Sequence, residues 1–222
     1  MKKRSVFLII LLIVVADQAL KIFIKTHYHL GETHPVLGHW FQLYFIENEG
    51  MAYGWKFGGE FGKMALTLFR LAAVIFGVYY IKKIVERKYN PAFIICVALI
   101  FAGALGNLLD SMFYGLIFQD SAGFPFNNVA HIFPHYGYAS FLHGRVVDML
   151  YFPIINTHFP SWFPIWGGQP FEFFSPIFNI ADASISVGII AIFIYQKRFF
   201  SSPTTRPSLE TEKLINDEVH VS

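Results

Sequence analysis

The chain has 222 residues, 55% of them hydrophobic and only 14% charged, with 26 Phe and a formal net charge of +2. Soluble domains carry about a quarter charged residues, and here the apolar residues are gathered in long blocks rather than spread at helical or strand period around one core. Both features argue against a water-soluble globule, and the Lys and Arg residues sit at block ends without forming a basic face, which sets nucleic-acid binding aside. The one cysteine, Cys96, permits no intrachain disulfide and no multi-cysteine metal site, and inside an apolar block it reads as a small buried hydrophobe.

A helix needs about 20 mainly apolar residues to cross hydrocarbon, and four blocks qualify: roughly 5–24, 64–81, 92–109 and 177–195. The first opens Met1-Lys2-Lys3-Arg4, like the basic start of a secretory signal peptide. Asp17-Gln18-Ala19-Leu20-Lys21 stands where a cleavage site would lie, so the segment reads as a retained anchor. With four spans the basic clusters (Lys2, Lys3, Arg4; Lys82, Lys83, Arg87, Lys88; Lys197, Arg198, Arg206) fall on one side, which the positive-inside rule assigns to the cytoplasm together with both termini. The opposite side receives two loops, about 25–63 and 110–176, and the second holds a single Lys or Arg, Arg145. Its stretches 124–138 and 151–176 are rich in Phe, Trp, Tyr, Pro and His, a composition suited to the headgroup region. Residues 1–200 read as one four-span unit and 201–222 as a polar, disordered cytoplasmic tail. No internal repeat is visible.

An ionisable side chain within a span costs about 3 kcal/mol or more, so each one is a candidate functional or pairing group. Asp17 and Lys21 share a face of the first block at i and i+4, as a structural ion pair would. In the third, Gly103, Gly106, Asn107 and Asp110 form one small and polar stripe, which also permits close helix contact. Arg70, in the second, is read as snorkelling or pairing with a carboxylate. Asn179, Asp182 and Ser186 share a face of the fourth, and in Gly144-Arg145-Val146-Val147-Asp148 a short β-branched run carries a second acid toward the membrane edge. Asp148 and Asp182 therefore lie at similar depth, and periodicity leaves open whether they meet or serve as unrelated capping and packing acids. If they meet, they share a proton, and the pair can act as general base toward water and general acid toward a peptide carbonyl and its leaving amine. A His-Glu-x-x-His helix, a metal-ligand spacing, a Gly-x-Ser-x-Gly elbow and a phosphate-cradling loop are all missing from the sequence, and His131, His135, His143 and His158 are scattered in the aromatic loop. No metal or cofactor is expected. A proton relay or transporter remains a rival, calling for inverted repeats or broken helices that the sequence does not display, and so does a membrane scaffold.

Taken in order, five boxes resemble those of the lipoprotein signal peptidase (signal peptidase II) family, through Gln196: Asp17-Gln18-Ala19-Leu20-Lys21, Asn48-Glu49-Gly50-Met51-Ala52-Tyr53-Gly54, Gly103-Ala104-Leu105-Gly106-Asn107-Leu108-Leu109-Asp110, Gly144-Arg145-Val146-Val147-Asp148 and Phe178-Asn179-Ile180-Ala181-Asp182. The resemblance implies an all-α, four-helix protein of the bacterial inner membrane with a small extracytoplasmic β-element, for which the partial alternation of 40–46 is the candidate. It also implies an aspartic endopeptidase that removes the signal peptide of prolipoproteins just before a cysteine already carrying diacylglycerol. Asp148 and Asp182 become the catalytic dyad near the outer face, Asn48, Gly50, Asn107, Asp110 and Asn179 become site supports, and Asp17 and Lys21 a stabilising pair. Two departures stand out. The family places Arg directly after the third-box Asp where this chain has Ser111, so Arg145 is expected to supply that charge. Residues 116–143 look like an insertion.

Overall fold

The computed structural model describes residues 1–49, 59–122, 128–173 and 176–200. In chain order these form α1 (Lys3–His27), β1 (Thr33–Leu37), β2 (Phe41–Asn48), α2 (Gly59–Glu86), α3 (Pro91–Leu109), a π-helical turn (Asp110–Tyr114), α4 (Gly115–Ile117), β3 (Val146–Tyr151), β4 (Ile155–His158), β5 (Pro170–Phe173), β6 (Ile177–Phe178) and α5 (Ile180–Phe200). Residues 50–54 of the second box, Gly50 among them, and the tail 201–222 lie outside the described residues.

Helices α1, α2, α5 and α3 with its continuation to Ile117 are long and apolar enough to cross a membrane. They turn large apolar side chains outward, among them Leu12, Phe69, Phe76 and Phe193, as expected where the surrounding solvent is lipid. Their inward faces carry small residues instead. A Cβ added at Gly103 would collide with the Ala181 carbonyl oxygen, and one at Gly106 would stand 2.7 Å from Asp17 Oδ2. Glycine is thus what lets α3 approach α5 and α1 so closely.

The helices alternate in direction, so the start of α1, the end of α5 and the α2–α3 turn share one end. There Val6, Ile84, Val85, Phe93, Ile94 and Ala98 pack together. At the other end Ile24, Phe45, Tyr114, Phe118, Val147 and Met149 join the helices to an antiparallel sheet of order β1-β2-β3-β6. β4 and β5 make a separate hairpin. The expected β-element is therefore present as β2, but two of the four strands of its sheet, β3 and β6, come from after α3.

Span boundaries differ from the sequence expectation where polar capping intervenes. The fourth block was expected from 177, yet Ile177 and Phe178 are strand, pairing with Tyr151 and Leu150 of β3, and the helix begins at Ile180. Asn179 between them accepts the Asp182 N–H at 2.8 Å, the bond of a helix N-cap. The third span outlasts its expected end at 109 because Asp110, Ser111 and Tyr114 are all buried in the π turn, whose extra residue swings them inward.

Candidate active site

Strand register places the first acid. In β2–β3, Asn48 pairs with Val146 and Ile46 with Asp148, so Asn48 and Asp148 are diagonal neighbours on one face. Asn48 Nδ2 donates to Asp148 Oδ2 at 3.0 Å. On the other side, β3–β6 pairing delivers Asn179, whose Nδ2 donates to Asp148 Oδ1 at 2.7 Å. Asp148 is buried, whereas Asp182, in the first turn of α5, is half-buried.

The second acid is reached through α3. Asn107 Nδ2 donates to Asp182 Oδ1 at 2.7 Å, while its Oδ1 accepts from Lys21 Nζ at 2.8 Å and from Asn179 Nδ2 at 3.2 Å. Lys21 has only donors to offer, so it holds the Asn107 carbonyl toward itself and turns the amide NH2 toward Asp182. Asp148, Asn179, Asn107 and Asp182 thus form one connected hydrogen-bonded chain. Burial and then the neighbouring Asp182 charge push the Asp148 carboxyl up to about 7, against the opposing bonds from Asn48 and Asn179 and the Lys21 charge. A carboxyl so placed holds a proton near neutrality, the condition for general acid work.

Beneath this chain lies a buried ionic group. Lys21 Nζ contacts Asp17 Oδ2 at 2.9 Å and Asp110 Oδ2 at 2.7 Å, and Gln18 Nε2 donates to Asp110 Oδ1 at 2.8 Å. Asp17 Oδ1 also accepts the Ala181 N–H at 2.9 Å, so α1 helps cap α5. Removing one member of such a buried group leaves an uncompensated charge, at a cost of about 3–5 kcal/mol.

Arg145 is placed elsewhere. Its Nη1 donates to Glu47 Oε2 and Asp120 Oδ1, both at 2.8 Å, and its guanidinium lies over the Tyr138 ring. Buried Lys25 joins Glu47 from the other side and donates to Ser121 Oγ at 2.8 Å. This second charged cluster ties the segment 116–143 to α1 and β2. The guanidinium beside position 111 belongs instead to Arg70, whose Nη1 donates to Ser111 Oγ at 3.1 Å. The sequence signal for Arg70 was its place within a span; for Glu47, Lys25 and Asp120 there was none, since their pairing crosses three distant segments. Among the described residues no three His, Cys, Asp or Glu side chains group so as to hold a metal ion.

Residues 9–198 match the family model described as Signal peptidase (SPase) II. The chain belongs to the signal peptidase II family. It is 46% identical over 200 residues to a lipoprotein signal peptidase of Porphyromonas gingivalis, covering 89% of this chain and 85% of the relative. A lipoprotein signal peptidase of Amoebophilus asiaticus is 31% identical, covering 89% of this chain and 80% of that one. Among solved structures, a bacterial membrane enzyme determined by the in meso method at 2.3 Å superposes with a TM-score of 0.59 at 25% identity, covering 92% of this chain and 94% of the other. As a signal peptidase II this chain is an aspartic peptidase of lipoprotein processing and a multi-pass bacterial membrane protein.

Proposed function

We propose that this signal peptidase II cuts diacylglyceryl-modified prolipoproteins immediately before the lipidated cysteine, using water activated by Asp148 and Asp182 at the outer edge of the bilayer. The observation that carries this reading is the hydrogen-bonded chain from Asp148 through Asn179 and Asn107 to Asp182. Asp182, the more exposed carboxylate, takes a proton from water as its oxygen attacks the scissile carbonyl. Asp148, protonated near neutrality, gives its proton to the carbonyl oxygen. As the tetrahedral intermediate collapses and the C–N bond breaks, Asp182 passes the proton it took from water to the amine of the departing cysteine, and Asp148 recovers a proton from the intermediate's hydroxyl, so that both acids return to their starting states. Asn48, Asn107 and Asn179 hold the carboxylates, and Asp17, Lys21 and Asp110 hold those amides in turn. The basic clusters support an orientation with both termini on the cytoplasmic side, in which the sheet and the acids face outward. There the substrate's acyl chains stay in lipid while the scissile bond meets water.

The test is substrate class. Purified protein in lipid nanodiscs is given one prolipoprotein with and without its diacylglyceryl group, and products are identified by mass. Cleavage of the lipidated form alone, with the lipidated cysteine as the new N-terminus, is expected. Equal cleavage of both forms, or an intact lipidated substrate, contradicts the reading.

A further inference from the structure

We propose that Arg70 is a positioning residue for the Asp148–Asp182 pair: anchored on Ser111, it supplies from α2 the second positive charge that sets the ionisation of the dyad. The proposal rests on the dyad reading above.

Arg70 lies well inside a helix whose neighbouring side chains, Leu68, Phe69, Ile75 and Phe76, are exposed to the apolar surroundings. An arginine at that depth costs about 3 kcal/mol or more unless it meets a partner. A snorkelling side chain would carry its guanidinium to the headgroups; this one turns inward to the buried Ser111 hydroxyl, which itself donates to the Asn107 carbonyl at 3.0 Å. The guanidinium is thereby fixed to the turn that presents Asn107 and Asp110. Asp182, Asp110 and Asp148 all lie within its electrostatic reach.

The charge balance gives this placement a purpose. Four carboxylates, Asp17, Asp110, Asp148 and Asp182, converge at this end of the bundle, and Lys21 is already shared between Asp17 and Asp110. Asp148 is faced by Asp182 from α5 and by Lys21 from α1, with Asp110 of the π turn and Arg70 of α2 nearby. Glu47 of β2 is held by Lys25 and Arg145 in the other cluster. Among the described residues, loss of Arg70 would leave Lys21 as the cation acting on Asp148, while two further acids compete for that ammonium. A guanidinium cannot be deprotonated in a protein, so its field is constant across the working pH range.

The experiment measures kcat, KM and the pH profile of lipidated prolipoprotein cleavage for the wild type, Arg70→Gln, Arg70→Lys, Ser111→Ala and Arg70→Gln/Ser111→Arg in the same nanodiscs. Arg70→Gln is expected to lower kcat by about tenfold to a hundredfold, as loss of an outer supporting partner does, and to move the alkaline limb up by about one pH unit, as loss of a nearby cation raises a carboxyl. KM should stay within about twofold, because the charge acts through Asp148 and Asp182 and is given no role in binding substrate. Arg70→Lys and the double variant should return the limb toward the wild-type position, the latter by moving the charge to position 111. Ser111→Ala, which keeps the charge but removes its anchor on the π turn, should shift the limb in the direction of Arg70→Gln. An unmoved limb in Arg70→Gln, or, if that variant does not fold, in Ser111→Ala, overturns the proposal. So does an activity loss that neither Lys nor the relocated Arg restores. The dyad reading fails separately, through Asp148→Asn or Asp182→Asn cleaving at the wild-type rate regardless of position 70.

Discussion

Asn179 concentrates much of the site chemistry in one carboxamide. Its Oδ1 caps α5 by accepting the Asp182 N–H, and its Nδ2 donates both to Asp148 and to Asn107. Neither Asp, which lacks the donor, nor Ser, which lacks the reach, can do all three. Asp148 gives a prediction at this scale. Its carboxyl is pushed up to about 7 by burial and by Asp182, above the value of about 3.9 in an unfolded chain. The protonated form therefore favours the fold: that contribution is complete below about pH 4 and is lost as pH rises through about 7. Asp148→Asn should accordingly have a thermal midpoint that falls less than that of the wild type between pH 5 and about 8. Differential scanning across that range checks it, and parallel curves for the two proteins would refute the shift.

Among the elements, the four spans were legible because hydrocarbon demands long apolar runs and tolerates little else. Their ends were not. Ile177 and Phe178 continue an apolar block by composition, but β3 claims them as a strand, and only the pairing partner decides that. Asp148 and Asn48 were recognisable as box residues, yet their contact depends on a β2–β3 register with a bulge between Leu43 and Ile46, which alternation alone does not locate. The small-residue stripe of α3 read equally as polar site and as packing seam, and it is both: Gly103 and Gly106 face Ala181 and Asp17 while Asn107 reaches Asp182. Gly103→Ala should force α3 from α5 at the Ala181 carbonyl. The expected result is a lower thermal midpoint together with a lower kcat, because Asn107 and Asp182 ride on the separated helices. A variant with wild-type values for both would show that the seam has slack.

Across the whole molecule, the described residues sort interior charge into two groups with different duties. Lys25, Glu47, Arg145 and Asp120 bind the segment 116–143 to α1 and β2, so Arg145, expected from its nearness to Asp148 in sequence to serve the site, is occupied with that segment. Asp17, Lys21 and Asp110 support the amides that hold Asp148 and Asp182, and Arg70 adds its charge from α2. Linear proximity to Asp148 pointed toward Arg145; the helix packing that brings α2 to Ser111 had no counterpart in local sequence. The central claim is that Asp148 and Asp182 work as one unit on a single water molecule. Its most direct test is kcat for the lipidated prolipoprotein in wild type, Asp148→Asn, Asp182→Asn and the double variant, each with a retained thermal unfolding transition. Each single variant should lose about as much activity as the double, since groups acting together are not additive. Wild-type turnover in either single variant, or losses that simply multiply in the double, would contradict it.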